Sequence, residues 1–218
     1  MKAAQARKRK VLIGLNGLSL FLFFTILYNI LTNGSLLMID RWISAEVPDI
    51  QSPALTELVV FITNINGMLG SAIFSILLVS FLIYKKYYAD LKFYLFAFLG
   101  ASVLFVVIKL LVERARPALK IINEQGFSFP SGHSTMSMVI ALSLYFIFAD
   151  SISSRAGRIV LLVVALLWPI LIAFTRVYLN VHWLSDTLAG FSLGIFWVTL
   201  VLLFYPYWSH KGKIEFRS

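Results

Sequence analysis

The residues best suited to chemistry fall in three short stretches in the second half of the chain. Lys109 is separated by six residues from Arg116-Pro117, and Pro130-Ser131-Gly132-His133 follows. The third stretch is Arg176, then His182, then Asp186. The sequence holds three histidines, and two of them, His133 and His182, lie inside these stretches. The residues around them are largely apolar, a setting in which charge is expensive and marks function. Such a set could hold a phosphate and attack it.

His182 and Asp186 are four residues apart, so on a helix they share a face. A carboxylate behind an imidazole fixes its tautomer and steadies the cation that forms on attack. With no cysteine in the chain and no serine in a nucleophile elbow, His182 is the best nucleophile available. Pro130-Ser131-Gly132 turns the chain into an apolar segment and sets His133 at a helix N-terminus, where free N–H groups and the dipole favour an anion. Gly132 permits close backbone approach. His133 suits proton donation to a departing oxygen, because imidazole titrates near neutrality. Lys109, Arg116 and Arg176 supply fixed positive charge for phosphoryl oxygens, the arginines through a planar fork. Carboxylates are few, so the site is expected to use neither a metal nor another cofactor.

These residues must be positioned by membrane-spanning helices. The 218 residues are 60% hydrophobic and 13% charged with mean hydropathy +0.87, against about 25% charged in soluble domains. The composition predicts an all-α polytopic membrane protein, a single domain over residues 1–218. Six apolar segments, 11–33, 55–84, 89–111, 133–149, 157–176 and 186–208, approach or exceed the ~17–25 residues a span needs. The first is longer than a signal-peptide core and reads as an uncleaved span. Segment 55–84 is overlong and carries Asn64-Ile65-Asn66-Gly67, which predicts a turn or a tilted insertion. Pro169 predicts a kink in the fifth segment. Gly190 and Gly194 predict close helix packing in the sixth.

The formal charge of +9 does not point to nucleic acid, because the basic residues are spread over several loops instead of one face. Lys2, Arg7, Lys8, Arg9 and Lys10 precede the first span. Lys85, Lys86 and Lys92, then Arg155 and Arg158, then Lys211, Lys213 and Arg217 mark further loops on the same side. Positive loops face the cytoplasm, so both termini are expected there. Loop 34–54 is acidic and opposite, and its 36–43 stretch is an amphipathic segment expected to lie in the interface. Loop 109–132 breaks the rule with Lys109, Arg114, Arg116 and Lys120 against Glu113 and Glu124. The three stretches supply a reason, since this topology brings them together on the extracytoplasmic face. Arg114, Lys120 and Glu113 are expected as solvated loop charges, with Arg114 open to a lipid headgroup. Trp42 and Trp183 are expected as interface anchors, and His210 as a residue of the tail.

The pattern Lys109-x6-Arg116-Pro117, Pro130-Ser131-Gly132-His133, Arg176-x5-His182-x3-Asp186 resembles the three-part motif of the type 2 phosphatidic-acid phosphatase superfamily. That group includes membrane lipid phosphatases and the vanadium haloperoxidases; six spans exclude the water-soluble haloperoxidase branch. The resemblance covers residues 109–186 and the span layout, with Thr175 where the family commonly has serine. It implies a lipid phosphatase of the plasma or inner membrane, acting on a lipid phosphate among membrane lipids. By resemblance His182 forms a phosphohistidine, Asp186 orients it, and His133 protonates the leaving group. Lys109, Arg116, Ser131, Gly132 and Arg176 then bind phosphate. Phosphatidylglycerol phosphate or undecaprenyl diphosphate is the implied substrate, with phosphatidate and diacylglycerol diphosphate behind them. The same phosphohistidine would serve a phosphotransferase, because the motifs do not encode the acceptor. A transporter would place ionisable residues near mid-bilayer within repeated, broken helices, whereas here they gather at span ends. The motifs carry no signal of oligomeric state.

Overall fold

Long apolar runs punctuated by polar turns fold into eight α-helices, and no strand occurs among the described residues. The structure is a computed structural model that describes the backbone of residues 2–209 and the side chains of residues 6–204. The side chain of Lys2, together with His210, Lys211, Lys213 and Arg217, lies outside the described residues. In chain order the helices are α1 (Lys2–Leu31), α2 (Leu36–Glu46), α3 (Pro53–Ile65), α4 (Met68–Tyr84), α5 (Tyr88–Val112), α6 (Gly132–Phe148), α7 (Arg155–Tyr178) and α8 (Leu184–Ser209). Helices α1, α5, α6, α7 and α8 are long and apolar enough to cross a membrane, and α3 with α4, bent by 41°, meets the same length and hydropathy only as a pair.

The turn expected at Asn64-Ile65-Asn66-Gly67 is present, and it divides the 55–84 segment into two helices that break at Asn66-Gly67. A broken helix at membrane depth survives only where its freed polar groups find partners. Here Asn66 N–H donates to Thr63 O at 3.1 Å, and Ser71 Oγ donates to Asn66 O at 3.1 Å. The Asn66 side chain is engaged as well, accepting from Trp168 Nε1 at 3.2 Å and donating to His133 O at 3.1 Å. Pro169 sits buried inside α7, which runs on through it to Tyr178.

Helix α6 is the hub, packed between α5, α7 and α8 and buried without interruption from Ser134 to Ala141. Its small side chains meet the two glycines of α8. A Cβ on Gly190 would stand 2.8 Å from Ser131 O, and one on Gly194 would stand 2.9 Å from Met138 Cβ. Lipid is as apolar as leucine, so contact packing and polar cross-links hold such helices together. One cross-link ties α1 to α8: Asn16 Nδ2 donates to Phe196 O at 2.9 Å and to Thr199 Oγ1 at 3.0 Å. The outer surface is apolar, with Phe21, Leu77, Val103 and Leu167 all more than half exposed.

The amphipathic segment forms α2, which turns Met38, Ile39 and Trp42 outward and buries Asp40 and Ser44. Ser44 Oγ donates to Asn180 Oδ1 at 2.7 Å, and Asn180 Nδ2 donates to Ser44 O at 2.9 Å. These bonds seat α2 on the connector between α7 and α8.

Candidate active site

The α7–α8 connector delivers the imidazole and the carboxylate. Asn180 takes a left-handed conformation at φ 54°, and the N–H groups of Val181 and His182 both turn back onto Arg176 O. His182 thus precedes the helix, and Asp186 stands in the first turn of α8, where a carboxylate complements the dipole. His182 Nδ1 lies 3.3 Å from Asp186 Oδ2, and the same oxygen accepts Trp183 N–H at 3.0 Å. With its Nδ1 proton on the carboxylate, the ring presents a lone pair at Nε2. Arg116 Nη1 lies 3.2 Å from that nitrogen. Burial, then the cations Arg176, Arg116 and Lys109, push His182 well below the usual imidazole range, so the ring is neutral at pH 7.

The facing wall is cationic. Lys109 lies in the last turn of α5 and Arg176 in the last turn of α7. Arg116 pins its loop by donating to Val181 O at 2.8 Å, Gly126 O at 3.0 Å and Gln125 O at 3.0 Å. Arg176 Nη1 donates to Thr63 Oγ1 at 3.1 Å, whereas its buried Nε has no partner. Glu124 stands between the two guanidinium groups, with Oε2 2.7 Å from Arg176 Nη2 and Oε1 3.8 Å from Arg116 Nη2. Burial pulls its carboxyl toward the neutral form, but Arg176, His133 and Arg116 outweigh this and hold it below the usual carboxylate range. An anion is therefore already held between the arginines. Lys109 and His133 both lie within Coulombic reach of Arg176 and Glu124.

The middle stretch joins these walls. Ser131 N–H donates to Asp186 O at 3.0 Å, and Asn66 from the α3–α4 break fastens His133 O. Ser131 is fully buried, and its Oγ caps α6 by accepting from Ser134 N at 3.4 Å and Ser134 Oγ at 3.1 Å. A Cβ on Gly132 would stand 3.0 Å from the Phe105 ring, so here the glycine makes room for an aromatic neighbour. All eight residues singled out by spacing converge on one end of the bundle: Lys109, Arg116, Ser131, Gly132, His133, Arg176, His182 and Asp186.

Arg114 overturns its expectation as a solvated loop charge. Its side chain is only 10% exposed, with Nη1 2.6 Å from Asp186 Oδ1 and Nη2 2.7 Å from Asp40 Oδ2. Trp183 is half-buried beside it: its ring lies 5.4 Å from the Arg114 guanidinium and its Nε1 donates to Ala115 O at 2.9 Å. Glu113 and Lys120 do remain exposed. The positions of Asp40, Thr63, Asn66 and Glu124 in the pocket depend on contacts between distant segments. Two carried a sequence signal, Glu124 in the uneven charge of loop 109–132 and Asn66 in the polar run Asn64-Ile65-Asn66-Gly67.

A family model described as the PAP2 superfamily matches residues 90–210. The chain is 33% identical over 190 residues to phosphatidylglycerophosphatase B of Bacillus subtilis (strain 168), an alignment covering 84% of this chain and 91% of the relative. The crystal structure of a transmembrane PAP2-type phosphatidylglycerolphosphate phosphatase from Bacillus subtilis superposes with TM-score 0.77 at 27% identity, covering 89% of this chain and 97% of that one. The crystal structure of Aquifex aeolicus LpxE superposes with TM-score 0.59 at 24% identity, over 76% of this chain and 93% of the other, and so shares the fold.

Proposed function

The chain belongs to the PAP2 superfamily, and we propose that it is a membrane lipid phosphatase that removes a terminal phosphate through a phosphohistidine on His182. The observation that carries this reading is the buried His182 with Asp186 behind Nδ1 and the cationic wall in front of Nε2. In the first step Nε2 attacks phosphorus, the bond to the leaving oxygen breaks, and His133 gives that oxygen a proton. In the second, His133 takes a proton from water, the hydroxide attacks phosphorus, and the N–P bond breaks to release inorganic phosphate. Lys109, Arg116 and Arg176 bind the transferring group, with Glu124 displaced from between the arginines. Ser131 and Gly132 belong to the phosphate-binding turn at the start of α6.

Metal-independent turnover is part of the proposal. Cations that already face the phosphate position do the electrostatic work, and among the described residues no group of three or more His, Asp or Glu side chains is placed to hold an ion. Phosphatidylglycerol phosphate is the preferred substrate, supported by the activity in the names of both Bacillus subtilis relatives, with undecaprenyl diphosphate second. The deciding assay is phosphate release by purified protein in detergent with EDTA, from these two lipids, phosphatidate and diacylglycerol diphosphate. Release is expected to be EDTA-resistant and lost in His182→Ala. Release that survives the substitution removes His182 from the nucleophile's role, and label passed from substrate to a second lipid instead of water makes the protein a transferase.

The proposed orientation sets both termini in the cytoplasm and the pocket outside, and it rests on the cationic loops described above. The chain contains no cysteine, so single cysteines report without background. A cysteine at Ala118 should react with a membrane-impermeant maleimide in intact cells, and one at Lys86 only after permeabilisation. The reverse pattern inverts the topology.

A further inference from the structure

A carboxylate that orients a histidine has two oxygens, and in this pocket both are occupied. Asp186 Oδ2 faces His182 and Trp183 N–H, whereas Oδ1 is gripped by Arg114 Nη1 at 2.6 Å. Arg114 also donates to Ser185 Oγ at 2.7 Å and to Asp40 Oδ2 at 2.7 Å, so both terminal nitrogens are committed inside the network. Asp40 comes from α2, far away in sequence, and is 1% exposed. Its Oδ1 accepts Ser185 N–H at 2.9 Å and its Oδ2 accepts Ser185 Oγ–H at 2.5 Å, which holds the first turn of α8. The order is α2, Asp40, Arg114, Asp186, His182.

We propose that Arg114 and Asp40 are positioning residues of the reaction, forming a relay by which α2 sets the orientation of the His182–Asp186 pair. The proposal rests on the phosphohistidine reading. The charge balance gives each member a part. Attack makes the His182 ring cationic, which a negative neighbour stabilises in a buried site. Arg114 fixes Asp186 in place but offsets its charge, and Asp40 restores a net charge of minus one across the three side chains. Loss of Arg114 leaves two buried carboxylates with no cation between them. Loss of the Asp40 charge leaves the Arg114–Asp186 pair neutral as seen from the ring. A planar fork is needed to bridge two carboxylates, and lysine has none.

The test compares Arg114→Gln, Arg114→Lys, Asp40→Asn and the double variant Arg114→Gln/Asp40→Asn in purified full-length protein with phosphatidylglycerol phosphate. Steady-state kcat and KM are measured alongside the single-turnover rate of phosphoenzyme formation, quenched in alkali, which phosphohistidine survives. Each single variant is expected to lower kcat and the labelling rate by about 10–100-fold, the range for residues that orient a primary group, with KM within about twofold. The double variant should be no slower than the slower single, because residues acting as one unit are not additive. Arg114→Lys keeps the buried charge balance, so it covers the case in which Arg114→Gln does not fold; it should still lose about tenfold in kcat. Wild-type labelling rates in Arg114→Lys and Asp40→Asn overturn the relay, as does a loss carried by KM alone or a fully additive double variant. If wild type forms no phosphoenzyme, the phosphohistidine reading fails and the relay falls with it, whereas wild-type phosphoenzyme formation in the variants overturns the relay alone.

Discussion

The two walls of the pocket are built on opposite terms. On the His182 side every acceptor oxygen of Asp186 and Asp40 has a donor: Trp183 N–H and His182 for one, Arg114 and Ser185 for the rest. On the Arg176 side the groups are only provisionally paired. Arg176 Nε is buried without a partner, and the anion between the arginines is Glu124, a loop residue whose side chain is still 29% exposed. In the proposed reaction the first wall is fixed, because the line of attack depends on ring orientation. The second would exchange one anion for another. A carboxylate that keeps the guanidinium groups apart and charged holds an anion site open without collapse, at the cost of competing with substrate.

This contrast gives its sharpest test through His182→Ala, which removes the group proposed to attack phosphorus. Turnover should fall by at least ~10⁴-fold, read as phosphate release. Next comes the exchangeable wall. Arg176→Lys keeps a charge but loses the fork, and kcat/KM should fall about 10²–10³-fold, with both kcat and KM affected. An effect confined to kcat would make Arg176 part of the fixed wall and blur the distinction.

Smaller effects test the supports. Gly190→Ala forces a methyl against Ser131 O, where α8 meets α6, and should destabilise the protein by about 1–3 kcal/mol in thermal melts in detergent. Thr63→Val leaves the buried Arg176 Nη1 without its acceptor, a loss of about 1–3 kcal/mol, since charged donors are costly to strand. An unchanged melting temperature in Thr63→Val would mean that the α3–α4 break does not support the pocket. The smallest signal is a titration. A histidine with a lowered pKa stays neutral as pH falls through 6.5 and gains its proton only below that range. Nitrogen NMR of the His182 ring, assigned by difference from His182→Ala, should therefore show no protonation between pH 7.5 and 6.5, the window set by the ordinary imidazole value. Half-protonation near 6.5 would show that neither burial nor the surrounding cations lower the ring's pKa.

Much of this was legible in the sequence because membrane helices announce themselves by length and hydropathy, and three motifs fixed which helix ends must meet. The Gly190–Gly194 pair read correctly as close packing for the same reason: spacing alone specifies a helix face. The turn expected at Asn64-Ile65-Asn66-Gly67 is present, but the 41° bend between two separate helices did not read from 55–84, since the partners that satisfy Asn66 lie on α6 and α7. Arg114 was misread because loop charges default to solvent. Its burial depends on Asp40 in α2 and Asp186 in α8, a three-segment contact that no local pattern encodes. Asp40 was hidden likewise, counted among the acidic residues of an outer loop although it is buried at the start of α8.

The central claim, that His182 Nε2 takes the phosphoryl group, is tested most directly by finding the group. Protein mixed with labelled phosphatidylglycerol phosphate, quenched in alkali during the first turnover and mapped by peptide mass analysis, should carry one phosphoryl group on His182. Label on any other residue, or turnover with no covalent label at any time point, contradicts the account.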